Sequence, residues 1–198
     1  MSNSFGRIFS IAATTILSTM TSSAQGIVKF ANNTQTLLRL PSGAGLPVGS
    51  AFDVELMYAH DGTPEPLFDS LAVRVGPPVG IAPLSVLFNG STRTAPTPTP
   101  GGFALFQVRA WEAAFGASYT EASLAPPNNG QCALAGKSQI LRVFTGDPTP
   151  QNPPSEPGSL VGSGFQGFTL TPVPEPSITL LAIVSVLVAG WQIASRRK

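Results

Sequence analysis

The stretch Ala51-Phe52-Asp53-Val54-Glu55-Leu56-Met57-Tyr58-Ala59 alternates along its length. Phe52, Val54, Leu56 and Tyr58 fall on one side and Asp53, Glu55 and Met57 on the other, the period of two that marks a half-buried strand. A second run, Gly102-Phe103-Ala104-Leu105-Phe106-Gln107-Val108-Arg109-Ala110-Trp111, is apolar on both faces at its start. That pattern places it centrally in a sheet. Shorter runs at 27–31, 70–75, 84–88, 138–145 and 164–171 carry β-branched and aromatic residues between turn signals. Twenty Gly and twenty Pro are spread along 198 residues, leaving little room for long helices. Trp111-Glu112-Ala113-Ala114-Phe115 is read as a single helical turn before Gly116. Seven short strands predict a mainly β fold: one antiparallel β-sandwich over 25–172, with a small β-barrel as the alternative. Proline-rich stretches at 95–100 and 147–158 read as exposed polyproline-like loops.

Composition excludes several functions. Charged residues are 11% of the chain, against roughly 25% in ordinary globular domains. Eleven cations face ten acids, and 25–172 holds two more acids than cations, so no basic surface for nucleic acid is implied. One Cys makes no internal disulfide, and one His builds no His-based metal cluster.

Both ends are apolar. Arg7, an apolar run over 8–20 and Ser22-Ser23-Ala24 predict a signal peptide over 1–24, cut by signal peptidase between Ala24 and Gln25. At the other end, 178–194 has 17 residues without a charge, nine of them Ile, Leu or Val. As a helix it covers about 25 Å against a hydrocarbon core of ~30 Å, which predicts a transmembrane helix. Arg196, Arg197 and Lys198 follow at once and read as a cytoplasmic basic anchor. The expected localisation is therefore export, membrane anchoring through this helix, and release to the cell surface or outside. The alternatives are an N-terminal amphipathic helix kept in the fold and a buried C-terminal core helix.

Val173-Pro174-Glu175-Pro176 stands directly before that apolar run. The order of Val-Pro-Glu-Pro, apolar segment and basic terminus resembles the PEP-CTERM sorting domain of exported bacterial proteins, over residues 173–198. The resemblance implies that the tail is a substrate for an exosortase-type processing enzyme, and that the protein is delivered to the surface or extracellular matrix. Pro174 and Pro176 fix φ and remove backbone donors, keeping this handle extended, with Glu175 as its one charged feature. The alternative is a plain proline-rich stalk.

Candidate chemistry in 25–172 is sparse. Cys132 and His60 lie 72 positions apart with no nucleophile-elbow motif. Asp53 and Glu55 place their Cα atoms about 6.5–7 Å apart. That spacing touches the ~6.5–9.5 Å of inverting glycosidase carboxyls, yet alternating acids also describe a solvated sheet face. Asp61-Gly62-Thr63 reads as a turn, and its surroundings offer only Asp61 and Glu65 as acidic calcium ligands. Gly43-Ala44-Gly45 lacks the rest of a phosphate loop. Asn32 and Asn89 begin glycosylation sequons. Tyr58, Trp111, Phe115 and Tyr119 form a sugar-stacking platform if exposed and a core if not. The expected function is non-enzymatic, without catalytic, cofactor or metal residues, as an extracellular matrix or envelope component. A polysaccharide-binding module is the alternative, and a surface hydrolase using Asp53 and Glu55 the less favoured one.

Overall fold

The computed structural model describes residues 25–46, 49–81, 87–96, 100–149 and 155–174. In chain order the elements are β1 (Ile27–Ala31), β2 (Leu38–Arg39), β3 (Gly49–His60), α1 (Glu65–Leu71), β4 (Val73–Arg74), β5 (Val79–Ile81), β6 (Asn89–Thr94) and β7 (Phe103–Glu112). A 3-10 turn (Ala113–Phe115) leads into α2 (Tyr119–Leu124). The chain continues through β8 (Leu134–Lys137), β9 (Leu141–Phe144), β10 (Gly158–Ser159), β11 (Phe168–Thr169) and β12 (Thr171–Pro172).

The two runs that dominate the sequence pair with each other. β3 and β7 are antiparallel, in register from Phe52 opposite Glu112 to His60 opposite Ala104. They form the middle of a seven-stranded sheet ordered β12-β8-β7-β3-β4, with β5 also on β3 and β9 also on β7. A three-stranded sheet, β10-β1-β6, and a two-stranded one, β11-β2, complete the set. Period two then sorts the side chains. Phe52, Val54, Leu56 and Tyr58 join Ala104, Phe106, Val108 and Ala110 in the main core, with Val28, Phe30 and Leu38 from the small sheets. Burying a Phe or Leu here contributes roughly 1.5–3 kcal/mol relative to exposure.

The opposite face is also covered. Met57 and Ala59 pack on Phe68 of α1, while Trp111 and Ala135 pack on Ala122 of α2. Both helices are short and start on clear local signals. α1 opens at Pro64 with proline in its first turn, where a missing N–H costs nothing and φ is already helical. α2 is capped by Ser118, whose Oγ accepts from the Glu121 N–H at 3.2 Å. Glu121 in turn accepts from the Ala117 N–H at 2.8 Å.

Three expectations are corrected. First, the fold is mixed α/β and closes neither as an antiparallel β-sandwich nor as a β-barrel. Two helices cover one face of the main sheet, and β1–β10 and β2–β11 pair in parallel. Second, 70–75 is no strand: α1 occupies it through Leu71, and only Val73–Arg74 pairs, with Tyr58 and Met57. Third, the expected transmembrane helix and membrane-anchored localisation find no element to rest on: no helix among the described residues is long and apolar enough to cross a membrane. The signal segment 1–24, the run 178–194 and the basic residues 196–198 lie outside the described residues. So does most of the expected strand 84–88.

Candidate functional site

The sequence candidates are largely dispersed by the fold. His60 closes β3 opposite Ala104. Cys132 lies near the other end of β7, lining a cleft of about 460 Å³ with Glu112, Leu134 and Pro172. The length of β7 separates them by about 25 Å, so they form no dyad. His60 instead approaches Tyr58, with Oη and Nδ1 at 3.3 Å. Asp61 points away from any calcium-like cluster and takes a bidentate grip on Arg142, Nε to Oδ1 at 2.7 Å and the second nitrogen to Oδ2 at 2.8 Å. Among the described residues no group of three His, Cys, Asp or Glu could hold a metal ion. Asn32 is committed to structure: its amide donates to the Thr36 carbonyl and its Oδ1 accepts from the Phe88 N–H at 2.7 Å. Asn89 is exposed, its Oδ1 turned back onto the Ser91 N–H.

Asp53 and Glu55 do not sit on a solvated face. Glu55 is 4% exposed, in a row of the sheet that continues through Arg109 to Lys137. Arg109, only 5% exposed, donates from Nε to Gln107 at 2.9 Å and from its second nitrogen to Asp69 of α1 at 2.6 Å. Lys137 reaches the other Asp69 oxygen at 2.7 Å. Arg74 stands 3.8 Å from Glu55, and Tyr119 lies under the Arg109 guanidinium at 5.3 Å. The result is a charged seam between α1 and α2. Every fixed charge in it has an opposite neighbour, as low local dielectric demands. The acids therefore hold the helix layer on the sheet. No water-sized gap flanked by both carboxyls is described, and Glu55 faces two cations in place of a substrate.

Titration follows from this placement. Burial raises the Glu55 carboxyl above its ordinary 4.5, against the lowering pull of Arg109 and then Arg74. Burial raises Asp53 as well. Asp69 is lowered, first by the Lys137 hydrogen bond and then by Arg109. A raised carboxyl binds protons in the fold where the unfolded chain has released them. Its effect is thus a loss of stability as pH climbs from the ordinary value through the raised one. A lowered carboxyl works in reverse, stabilising above its ordinary value and losing that contribution as pH falls through the lowered one. Glu55→Gln is expected to flatten the decline above pH 4.5 and to leave the acid limb, set by groups such as Asp69, in place. Urea unfolding between about pH 3 and 7 checks this; an unchanged slope above the ordinary Glu value contradicts it.

The aromatic platform moves. Tyr58 and Trp111 are 2% and 0% exposed, and Phe115 and Tyr119 pack against Trp111, so these four are core. The exposed rings are Phe103 and Phe144, 43% and 53% exposed, opposite each other on β7 and β9 and edge-on with centroids 5.2 Å apart. Arg142 lies flat over Phe103 at 3.7 Å and is fixed there by Asp61. The Arg142 hydrogen bonds lower the Asp61 carboxyl, and Asp61 raises Arg142 in return. Sequence reasoning missed this surface because it treated the start of β7 as central. The available signal was the exposed partner run, where Arg142 and Phe144 alternate with buried Leu141 and Val143. No family model, curated protein or solved structure matches the chain.

Proposed function

We propose that the chain is a non-enzymatic exported protein, a matrix or envelope component whose 173–198 tail is a sorting signal read by an exosortase-type peptidase. The observation that carries this reading is the junction at Val173. Val173 is hydrogen-bonded to the sheet through Ala133, and the exposed Pro174 follows it. The Val-Pro-Glu-Pro motif thus starts where the globule ends, as a processing handle should. The absorption of Asp53 and Glu55 into a charge-neutral seam supports a structural role for the only carboxyl pair with catalytic spacing. The test is Pro174→Ala with Glu175→Ala in the native host. Loss of C-terminal trimming with normal folding is expected; trimming that proceeds unchanged contradicts the reading.

A second reading, polysaccharide binding, is favoured by one surface. Phe103 and Phe144 offer apolar rings beside a pre-fixed Arg142–Asp61 fork that supplies donors and acceptors without net charge. That combination suits a neutral sugar ring better than a polyanion. Affinity electrophoresis in gels containing a soluble β-glucan or xylan is expected to retard the protein. Phe144→Ala is expected to reduce the retardation by about ten-fold, the ~1.4 kcal/mol loss of one aromatic contact. Equal mobility of wild type with and without polysaccharide contradicts it.

A further inference from the structure

The last described residues are stitched alternately into two sheets. Phe168 and Thr169 pair with Leu38 and Arg39, and the Leu170 N–H donates to the Arg39 carbonyl at 2.9 Å. Leu170 is fully buried. Thr171 and Pro172 then cross to the main sheet, opposite Ala135 and Leu134. The Val173 N–H closes the ladder on the Ala133 carbonyl at 2.8 Å, and its side chain packs on the cluster of Trp111, Ala122 and Ala135. Beyond it, Pro174 is exposed.

Peptidases bind substrates as extended strands, using backbone groups that a sheet has already consumed. A bond inside 168–173 is open to them only when this stitching releases, a population set by the opening free energy. Chemistry narrows the choice on the far side. The Val173–Pro174 and Glu175–Pro176 amides have proline nitrogen and no N–H. The Pro174–Glu175 and Pro176–Ser177 amides have ordinary nitrogens. We propose that the fold itself sets the upstream limit of tail processing at Val173, and that the bonds cut are Pro174–Glu175 or Pro176–Ser177. In that step the acyl carbon of the proline loses the amide nitrogen and takes the oxygen of water, and the released nitrogen takes the proton. The inference rests on the sorting reading only for which peptidase acts; the limit itself belongs to the fold.

Pro172–Val173 supplies an internal control, because it too follows a proline but lies within the stitched segment. Full-length protein is exposed to a post-proline endopeptidase active on whole proteins, with C-terminal fragments mapped by mass spectrometry. Cuts after Pro174 and Pro176 are expected to appear at least about ten-fold faster than a cut after Pro172. Val173→Asp, which places a charge against Trp111, is expected to bring the Pro172 cut up to the same rate. A circular-dichroism melt that still unfolds cooperatively shows that only the stitch has opened. Cutting after Pro172 as fast as after Pro174 in the unaltered protein overturns the proposal, as does a native C-terminus upstream of Val173. An intact Lys198 in the host, with Pro172–Val173 spared in the assay, sinks the sorting reading and upholds the limit.

Discussion

Arg109→Ala is expected to lower the unfolding free energy by about 3–5 kcal/mol at neutral pH, the cost of breaking a buried ion pair by removing one partner. The reason is the asymmetry of the seam. Arg109 and Glu55 face each other across β7 and β3, both nearly inaccessible to solvent. Without the guanidinium, Glu55 keeps only Arg74 at 3.8 Å, on a side chain that is itself 44% exposed. Asp69 retains Lys137, so α1 loses one of two tethers. Lowering the pH should relieve the variant, since protonating Glu55 removes the uncompensated charge. Pairing Arg109→Met with Glu55→Gln should recover most of the loss, because both members of the pair become neutral. Urea unfolding of the two single variants and the double variant at pH 7 measures the coupling. A loss below about 1 kcal/mol for Arg109→Ala, the range of surface pairs, contradicts the seam as described.

Trp111→Ala has the other large expected effect. Trp111 is fully buried where β7 meets β8 and α2, and its Nε1–H donates to the Gly116 carbonyl at 2.8 Å. Truncation to Ala removes the ring, leaves a cavity, and strips Gly116 of its donor. Such changes cost about 3–5 kcal/mol. For a domain of this size that is roughly a 10 °C fall in Tm. Trp111→Phe keeps most of the volume and loses only the hydrogen bond, and should cost less than half as much. Because Val173 packs on the same cluster, Trp111→Ala also loosens the C-terminal stitch. Thermal melts by near-ultraviolet circular dichroism check the order Ala worse than Phe; equal melting of all three proteins contradicts it.

How much of this was legible in the sequence depended on which face of an element was being read. β1, β3 and β7 are close to their expected bounds, because period two and β-branched or aromatic content speak directly to strand formation. The turn at Ala113–Phe115 was legible too. What alternation does not say is whether the second face meets solvent or another layer. Asp53 and Glu55 looked like a solvated face, and Met57 on the same side was the hint of a cover that α1 provides. α1 itself was hidden by Pro64 and Pro66, which read as breakers although proline is favoured in a first helical turn. α2 carried a signal that was passed over, Ser118 followed three residues later by Glu121. The run 164–171 looked continuous, but Gly167 adopts φ +74° with the Leu37 carbonyl 2.2 Å from where a Cβ would sit. The chain turns there, and one expected strand becomes two short ones in different sheets. Register between distant segments, which builds both the seam and the Phe103–Phe144 surface, has no local trace in sequence.

The central claim is that a self-contained fold ends at Val173 and that what flanks it serves delivery. Intact-mass and terminal-peptide mass spectrometry of the protein recovered from its native host tests this most directly. The account predicts a species beginning at Gln25 and ending at Pro174 or Pro176. Recovery of a single 20.5 kDa species that still carries Met1 and Lys198 would contradict it.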